Sequence, residues 1–164
     1  MKILVWLTEG TWEACVDAAR DLLDGQITLL HIIDPAIAEV LAVPPTALLG
    51  RGKPLAAPDT LADAQHALLD AAAARLGRPT ARLGRRGRPE REAVAASADT
   101  DILVLARDGD HTSLGPRSLG HATRFVIDHA PCQVLLVWPD RPPDLATIPP
   151  PPPHPPAKRT HRPR

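Results

Sequence analysis

Three near-continuous apolar runs, "KILVWL" (2–7), "QITLLHII" (26–33) and "DILVLA" (101–106), constrain this chain more than any other feature. None alternates apolar and polar residues, so none suits a sheet with one wet face. Such runs are expected of strands buried on both faces, which occur in parallel sheets covered by helices. Amphipathic segments lie between them. "TWEACVDAARDLLD" (11–24) puts Trp12, Cys15, Val16, Ala19, Leu22 and Leu23 on one helical stripe, with Gly25 as its stop. "DTLADAQHALLDAAAARLG" (59–77) predicts a helix capped by Asp59 or Thr60 and ended by Gly77.

The rest of the body continues the alternation. "TARL" (80–83) reads as a short strand and "PEREAVAAS" (89–97) as a short helix with proline in its first turn. "GHATRFVIDHA" (120–130) has Ala122, Phe125, Val126 and His129 at helical spacing, and "QVLLVW" (133–138) closes the series. Five strands interleaved with four helices imply an α/β fold: one parallel sheet with helices on both faces. The segment 36–57, "AIAEVLAVPPTALLGRGKPLAA", is long for a connection between strand and helix. It reads as a lid-like or interface loop with one short helix at 36–42.

The domain is expected to span 1–139. Of the 20 prolines, eleven fall in residues 139–164, a stretch that cannot build a ladder or a core and reads as a disordered, polyproline-type tail over 140–164. Five basic residues against Asp140 and Asp144 give the tail about +3, so the neutral chain leaves the body about −3. A neutral chain offers no overall electrostatic reason to bind nucleic acid or a membrane surface. The basic run "RLGRRGR" (82–88) reads as a solvated loop. With no Tyr and one Phe, base stacking is not expected either. The N-terminal run is too short for a signal segment, and none approaches the roughly 20 apolar residues of a membrane span. A soluble, cytoplasmic protein with two buried free thiols, Cys15 and Cys132, is therefore expected.

Taken in order, "KILVWLTEGTWEA", "TLLHIID" and "DILVLARDG…LGHATRFVIDHAPCQVLLVWP" resemble the universal stress protein family, with "DHAPCQVLLV" the most specific part. The resemblance covers essentially all of 1–139 and not the tail. It implies strand order 3-2-1-4-5, a homodimer formed through the last strand (133–138), and a stress-responsive regulatory module that binds ATP or another adenine nucleotide.

With that order, a ligand lies beyond the carboxyl ends of strands one and four, where the order reverses. Thr8, Glu9 and Gly10 follow strand one; Ala106, Arg107, Asp108 and Gly109 follow strand four. Ile33 and Asp34, after strand two, mark the place for adenine or ribose. The helix mouth at Gly120 and His121 would aim N–H groups at an anion, with Arg117 and Ser118 as further phosphate donors.

ATP-binding members of the family carry an acidic residue at the end of strand one. After strand four they show Gly, two residues, Gly, nine residues, Gly, then Ser or Thr. Here Thr8 stands where the acid is expected, with Glu9 beside it. Ala106 replaces the first glycine, Gly109 matches the second, ten residues precede Gly120, and His121 replaces the hydroxyl residue. The added methyl of Ala106 narrows the approach of a ribose or phosphate. Two readings of "SLGH" (118–121) stay open: an anion site, or a helix-entry turn capped by Ser118.

"SLGH" is also similar to the histidine-glycine-histidine signature of class I nucleotidyl transferases. That signature follows strand one, and this one follows strand four, so no transferase is expected. His31 and His129, on apolar faces, read as packed, hydrogen-bonded core histidines. The remaining histidines have no metal-ligand spacing. With no catalytic constellation, the reading is a binding module and not a dedicated enzyme, weak ATP hydrolysis aside. The alternative is a dimeric scaffold of the same fold that binds no nucleotide. The tail's partner is not readable from its composition.

Overall fold

The computed structural model describes residues 1–36 and 57–151. The lid-like segment and its short helix, apart from Ala36 and Ala57, lie outside the described residues, as do residues 152–164 of the tail.

The three apolar runs form the middle of one parallel sheet. Strands β1 (Lys2–Leu7), β2 (Gln26–Ile33), β3 (Ala81–Arg86), β4 (Ile102–Ala106) and β5 (Gln133–Val137) stand in the order β3-β2-β1-β4-β5. Every neighbouring pair is parallel. The order expected from the family resemblance is thus the order observed. Helices α1 (Trp12–Leu22) and α2 (Ala57–Leu76) cover one face, and α3 (Pro89–Ala96) and α4 (His121–His129) cover the other.

Burial on both faces explains why the central runs do not alternate. Ile3, Val5 and Leu7 point into a core with Val16 and Ala19 of α1 and Leu69, Ala72 and Leu76 of α2. Leu4, Trp6, Leu30, Leu103 and Leu105 point the other way, against Ala93 of α3 and Val126 of α4. The bidentate ion pair between Arg75 and Asp17 ties α2 to α1 at the surface, with Nη2–Oδ2 at 2.6 Å.

Five local expectations are corrected. Leu22, placed on the apolar stripe of α1, is 69% exposed at the last turn, and Leu23 packs on the core in its stead. Asp59 and Thr60 lie inside α2 and do not cap it; the helix begins earlier because Pro58 is tolerated in a first turn. "RLGRRGR" is not a loop: residues through Arg86 form the sheet-edge strand β3, paired with β2 from Thr28↔Ala81 to Ile33↔Arg86. Its arginines are neutralised locally, Arg82 by Asp70 and Arg85 by Glu92. Charged residues suit a sheet edge and hide its strand character. His129 is exposed at the end of α4, stacked on Phe125 with ring centroids 4.1 Å apart, and is no core residue. Cys132 is only half-buried; Cys15 is fully buried, and burial pushes its thiol up to about 12.

Candidate functional site

The three central strands end on the same side of the sheet, where β1 gives way to Thr8 and Glu9, β2 to Asp34, and β4 to Arg107 and Asp108. A cavity of about 270 Å³ opens there. Thr8, Glu9, Ile33 and Asp34 line it, together with Trp6, His31 and Ile32 from the strand ends. Leu61 and Gln65 of α2 close one side; Pro89, Asp108 and Ala122 close the other. The walls are mostly apolar, with polar groups converging at the strand ends, the usual composition of a small-molecule site.

Register explains the polar floor. Leu7 pairs with His31, so Glu9, two residues past Leu7, can reach across to the neighbouring strand. The His31 ring nitrogen Nε2 lies 2.9 Å from Glu9 Oε1. Gln65 Nε2 donates to the His31 carbonyl at 2.9 Å and approaches His31 Nδ1 at 3.3 Å and the Arg85 carbonyl at 3.3 Å. The Glu9 carboxylate is an acceptor, so, with the Gln65 amide facing Nδ1, His31 Nε2 donates to it. That hydrogen bond is the main reason the Glu9 carboxyl is held below the usual carboxylate range. Both imidazole nitrogens are committed, so His31 presents no free base to the cavity.

The segment expected to bind phosphate is arranged differently. Residues 109–118 fold back on themselves: Gly109 N–H donates to Ser118 O at 3.0 Å and Asp110 N–H to Arg117 O at 2.8 Å. Gly109 is required there, because a Cβ would stand 2.3 Å from Arg117 O. Gly115, at φ +130, and the single 3₁₀ turn Pro116–Ser118 complete the reversal. Ser118 is fully buried; its hydroxyl donates to Gly115 O at 2.7 Å and accepts from Arg107. It does not cap α4, which corrects that reading of "SLGH". The cap position is Gly120, and its N–H donates to Asp108 Oδ1 at 2.7 Å.

Of the residues named from sequence, Thr8, Glu9, Ile33 and Asp34 share the cavity. Gly10 turns away into the α1 entry at φ +81. Ala106 is buried under Thr123, whose hydroxyl faces its carbonyl at 3.4 Å. Arg107 lies over the Trp138 ring, 4.5 Å from its centroid. Gly109, Arg117, Ser118, Gly120 and His121 do not line the cavity, and Arg117 lines a second one with Leu114, Pro116 and Thr147. Sequence reasoning reached Asp108 only as part of the run Ala106–Gly109 and missed His31 and Gln65 as site residues. A polar residue in an apolar strand and a glutamine in an alanine-rich helix were the available signals for those two.

The start of the tail also meets this region. A 3₁₀ turn at Leu145–Thr147 brings Thr147 Oγ1 to within 3.0 Å of Leu114 N. Among the described residues, no group of three or more His, Cys, Asp or Glu could hold a metal ion, and no helix is long and apolar enough to cross a membrane.

Several solved structures share this fold. Protein MJ0577, the subject of a structure-based assignment of biochemical function, superposes with a TM-score of 0.62 at 23% identity, over 84% of this chain and 94% of that one. The universal stress protein UspA from Lactobacillus plantarum gives 0.54 at 22% identity, over 84% and 97%. A universal stress protein solved in complex with cAMP gives 0.54 at 17% identity, over 85% and 98%. No curated protein matches the sequence significantly. The model of the universal stress protein family matches residues 9–137. With that match over most of its length and the strand order β3-β2-β1-β4-β5, the chain belongs to the universal stress protein family.

Proposed function

We propose that this protein is a regulatory module that reports on an adenine nucleotide, ATP or another, held at the carboxyl ends of β1 and β4. The observation that carries the reading is the cavity itself. It lies at the carboxyl ends of β1 and β2 beside the reversal of strand order, reached from the β4 side by Asp108, with apolar walls for a base and the Asp34 carboxylate where a ribose hydroxyl would donate. The likeness to a universal stress protein in complex with cAMP supports the ligand class. The role is binding and not turnover, because His31, the one buried histidine among the described residues, has both nitrogens engaged. A cytoplasmic site of action fits a nucleotide ligand and the two free thiols.

The protein freshly purified, denatured and analysed by mass spectrometry is expected to release an adenine compound, or to gain thermal stability at millimolar adenine ligand. A second reading, a nucleotide-free scaffold, is favoured by one observation: Asp108 already satisfies the Gly120 N–H at the mouth of α4. Absence of both a released compound and a thermal shift would establish the scaffold.

Assembly belongs to either reading. β5 pairs only with β4 among the described residues, and its apolar side chains are half-buried. An apolar edge strand invites pairing, so a homodimer forms through residues 133–138. Light scattering on a size-exclusion column is expected to give twice the chain mass at micromolar concentration. A monomer there would remove the dimer from the proposal.

A further inference from the structure

The surroundings of α4 bear on which phosphorylation state of an adenine ligand the cavity would favour. Asp108 lines the cavity and places a carboxylate oxygen 2.7 Å from Gly120 N. The contact is close: a Cβ built on Gly120 would stand 2.7 Å from both Asp108 oxygens. The protein's own anion therefore sits where a phosphate oxygen would meet the helix.

Two of the neighbouring cations are engaged elsewhere, and Arg117 is exposed and lines a separate cavity with Ser113 and Thr147. The Arg107 guanidinium bonds Ser118 Oγ and lies over Trp138, while Arg124 Nη2 donates to Pro116 O at 2.7 Å and Leu119 O at 3.2 Å. The loop 109–118 is zipped by its own backbone bonds, leaving its N–H groups at Gly109 and Asp110 already used. Three carboxylates, Glu9, Asp34 and Asp108, face the cavity, and no Lys or Arg lines it among the described residues. At about 270 Å³, the space falls just below the roughly 300–1,000 Å³ usual for small-molecule sites. A base and ribose suit that space, and a phosphate chain would have to leave it past Asp108.

We infer that Asp108 is the specificity-determining residue of this site and that the ligand is a nucleoside without a phosphate chain, adenosine being the simplest probe. The inference rests on the adenine part of the reading above and departs from it at the phosphate: the ligand held is the nucleoside and not ATP. Asp108 acts as a built-in anion: it completes the helix mouth and repels a second negative group at the same place.

Calorimetric titration of the wild type, Asp108→Asn and Asp108→Ala with adenosine and with ATP tests it. The wild type is expected to bind adenosine at least about tenfold more tightly than ATP. Asp108→Ala frees the Gly120 N–H and removes the charge, so ATP affinity rises by about tenfold while adenosine affinity changes little. Asp108→Asn keeps the acceptor and loses the charge, and falls between. Asp108→Ala loses the acceptor of the Gly120 N–H and is expected to melt somewhat lower than the wild type, while Asp108→Asn keeps an acceptor and is expected to melt close to it, which checks the fold. Wild type that binds ATP as tightly as adenosine overturns the inference and leaves the adenine reading standing. An unchanged ATP affinity in Asp108→Ala overturns the role of Asp108. ATP binding to Asp108→Ala alone, with adenosine bound by neither protein, overturns the nucleoside assignment. If no variant binds either probe, both readings fall together.

Discussion

Leu103→Ala is expected to destabilise the protein by about 2–5 kcal/mol, the largest loss from any single truncation considered. Leu103 has no exposed surface and sits in β4 opposite Leu4 of β1, in the middle of the sheet. Its side chain belongs to the core shared with Leu30 of β2, Ala93 of α3 and Val126 of α4. Four elements hold that hole open, so it cannot collapse cheaply, and the cavity left behind adds to the lost transfer energy. A native stability of about 5–15 kcal/mol would lose a large part of itself. Urea denaturation would show a lower midpoint at unchanged slope. Leu22→Ala is the control, since the sequence pattern put both leucines in the core and the structure leaves Leu22 69% exposed. It should change stability by less than about 0.5 kcal/mol. Equal losses at the two positions would contradict the burial that defines the sheet.

That contrast shows where the sequence was legible. Strands buried on both faces advertise themselves as unbroken apolar runs, so β1, β2, β4 and β5 could be read directly. β3 could be read only at its start, "TARL", because an edge strand needs little apolar surface and gains from charge; its later arginines looked like loop. The last turn of α1 failed for a related reason. Periodicity continues past the point where the helix stops, and it marks Leu22 as inward although the chain has already turned towards Gly25.

The site was legible to the same depth. Strand ends and the reversal of strand order placed Thr8, Glu9, Ile33 and Asp34 at one cavity before any side chain was seen. The anion seat was not readable, because its occupant depends on how residues 109–118 close. Asp108 is only a spacer between Ala106 and Gly109 in the sequence. It becomes a ligand of Gly120 once backbone bonds from Gly109 to Ser118 and from Asp110 to Arg117 bring the two ends of that loop together. Likewise, the pairing of Glu9 with His31 follows from the register Leu7↔His31, which no local pattern specifies.

Gln65→Ala is expected to cost about 1–3 kcal/mol, because its amide serves buried acceptors on two strands. Gln65 is 8% exposed and ties α2 to the His31 carbonyl of β2 and the Arg85 carbonyl of β3. Its position also accounts for Gly84. A Cβ there would lie 2.6 Å from Gln65 Oε1, so glycine in the edge strand makes room for the amide to cross it. Gly84→Ala should therefore act through Gln65, pushing the amide off its acceptors. The two changes then cannot add. In a Gln65→Ala background the new methyl meets an empty space, and Gly84→Ala should become neutral or favourable, since alanine suits a strand better than glycine. A coupling energy of about 1 kcal/mol, read by chemical denaturation of the four proteins, is expected. Strict additivity would mean that Gly84 is tolerated for another reason. Because Gln65 and His31 both line the cavity, Gln65→Ala should weaken the ligand as well as the fold. The wall that shapes the site and the bonds that fasten α2 to the sheet are the same side chain.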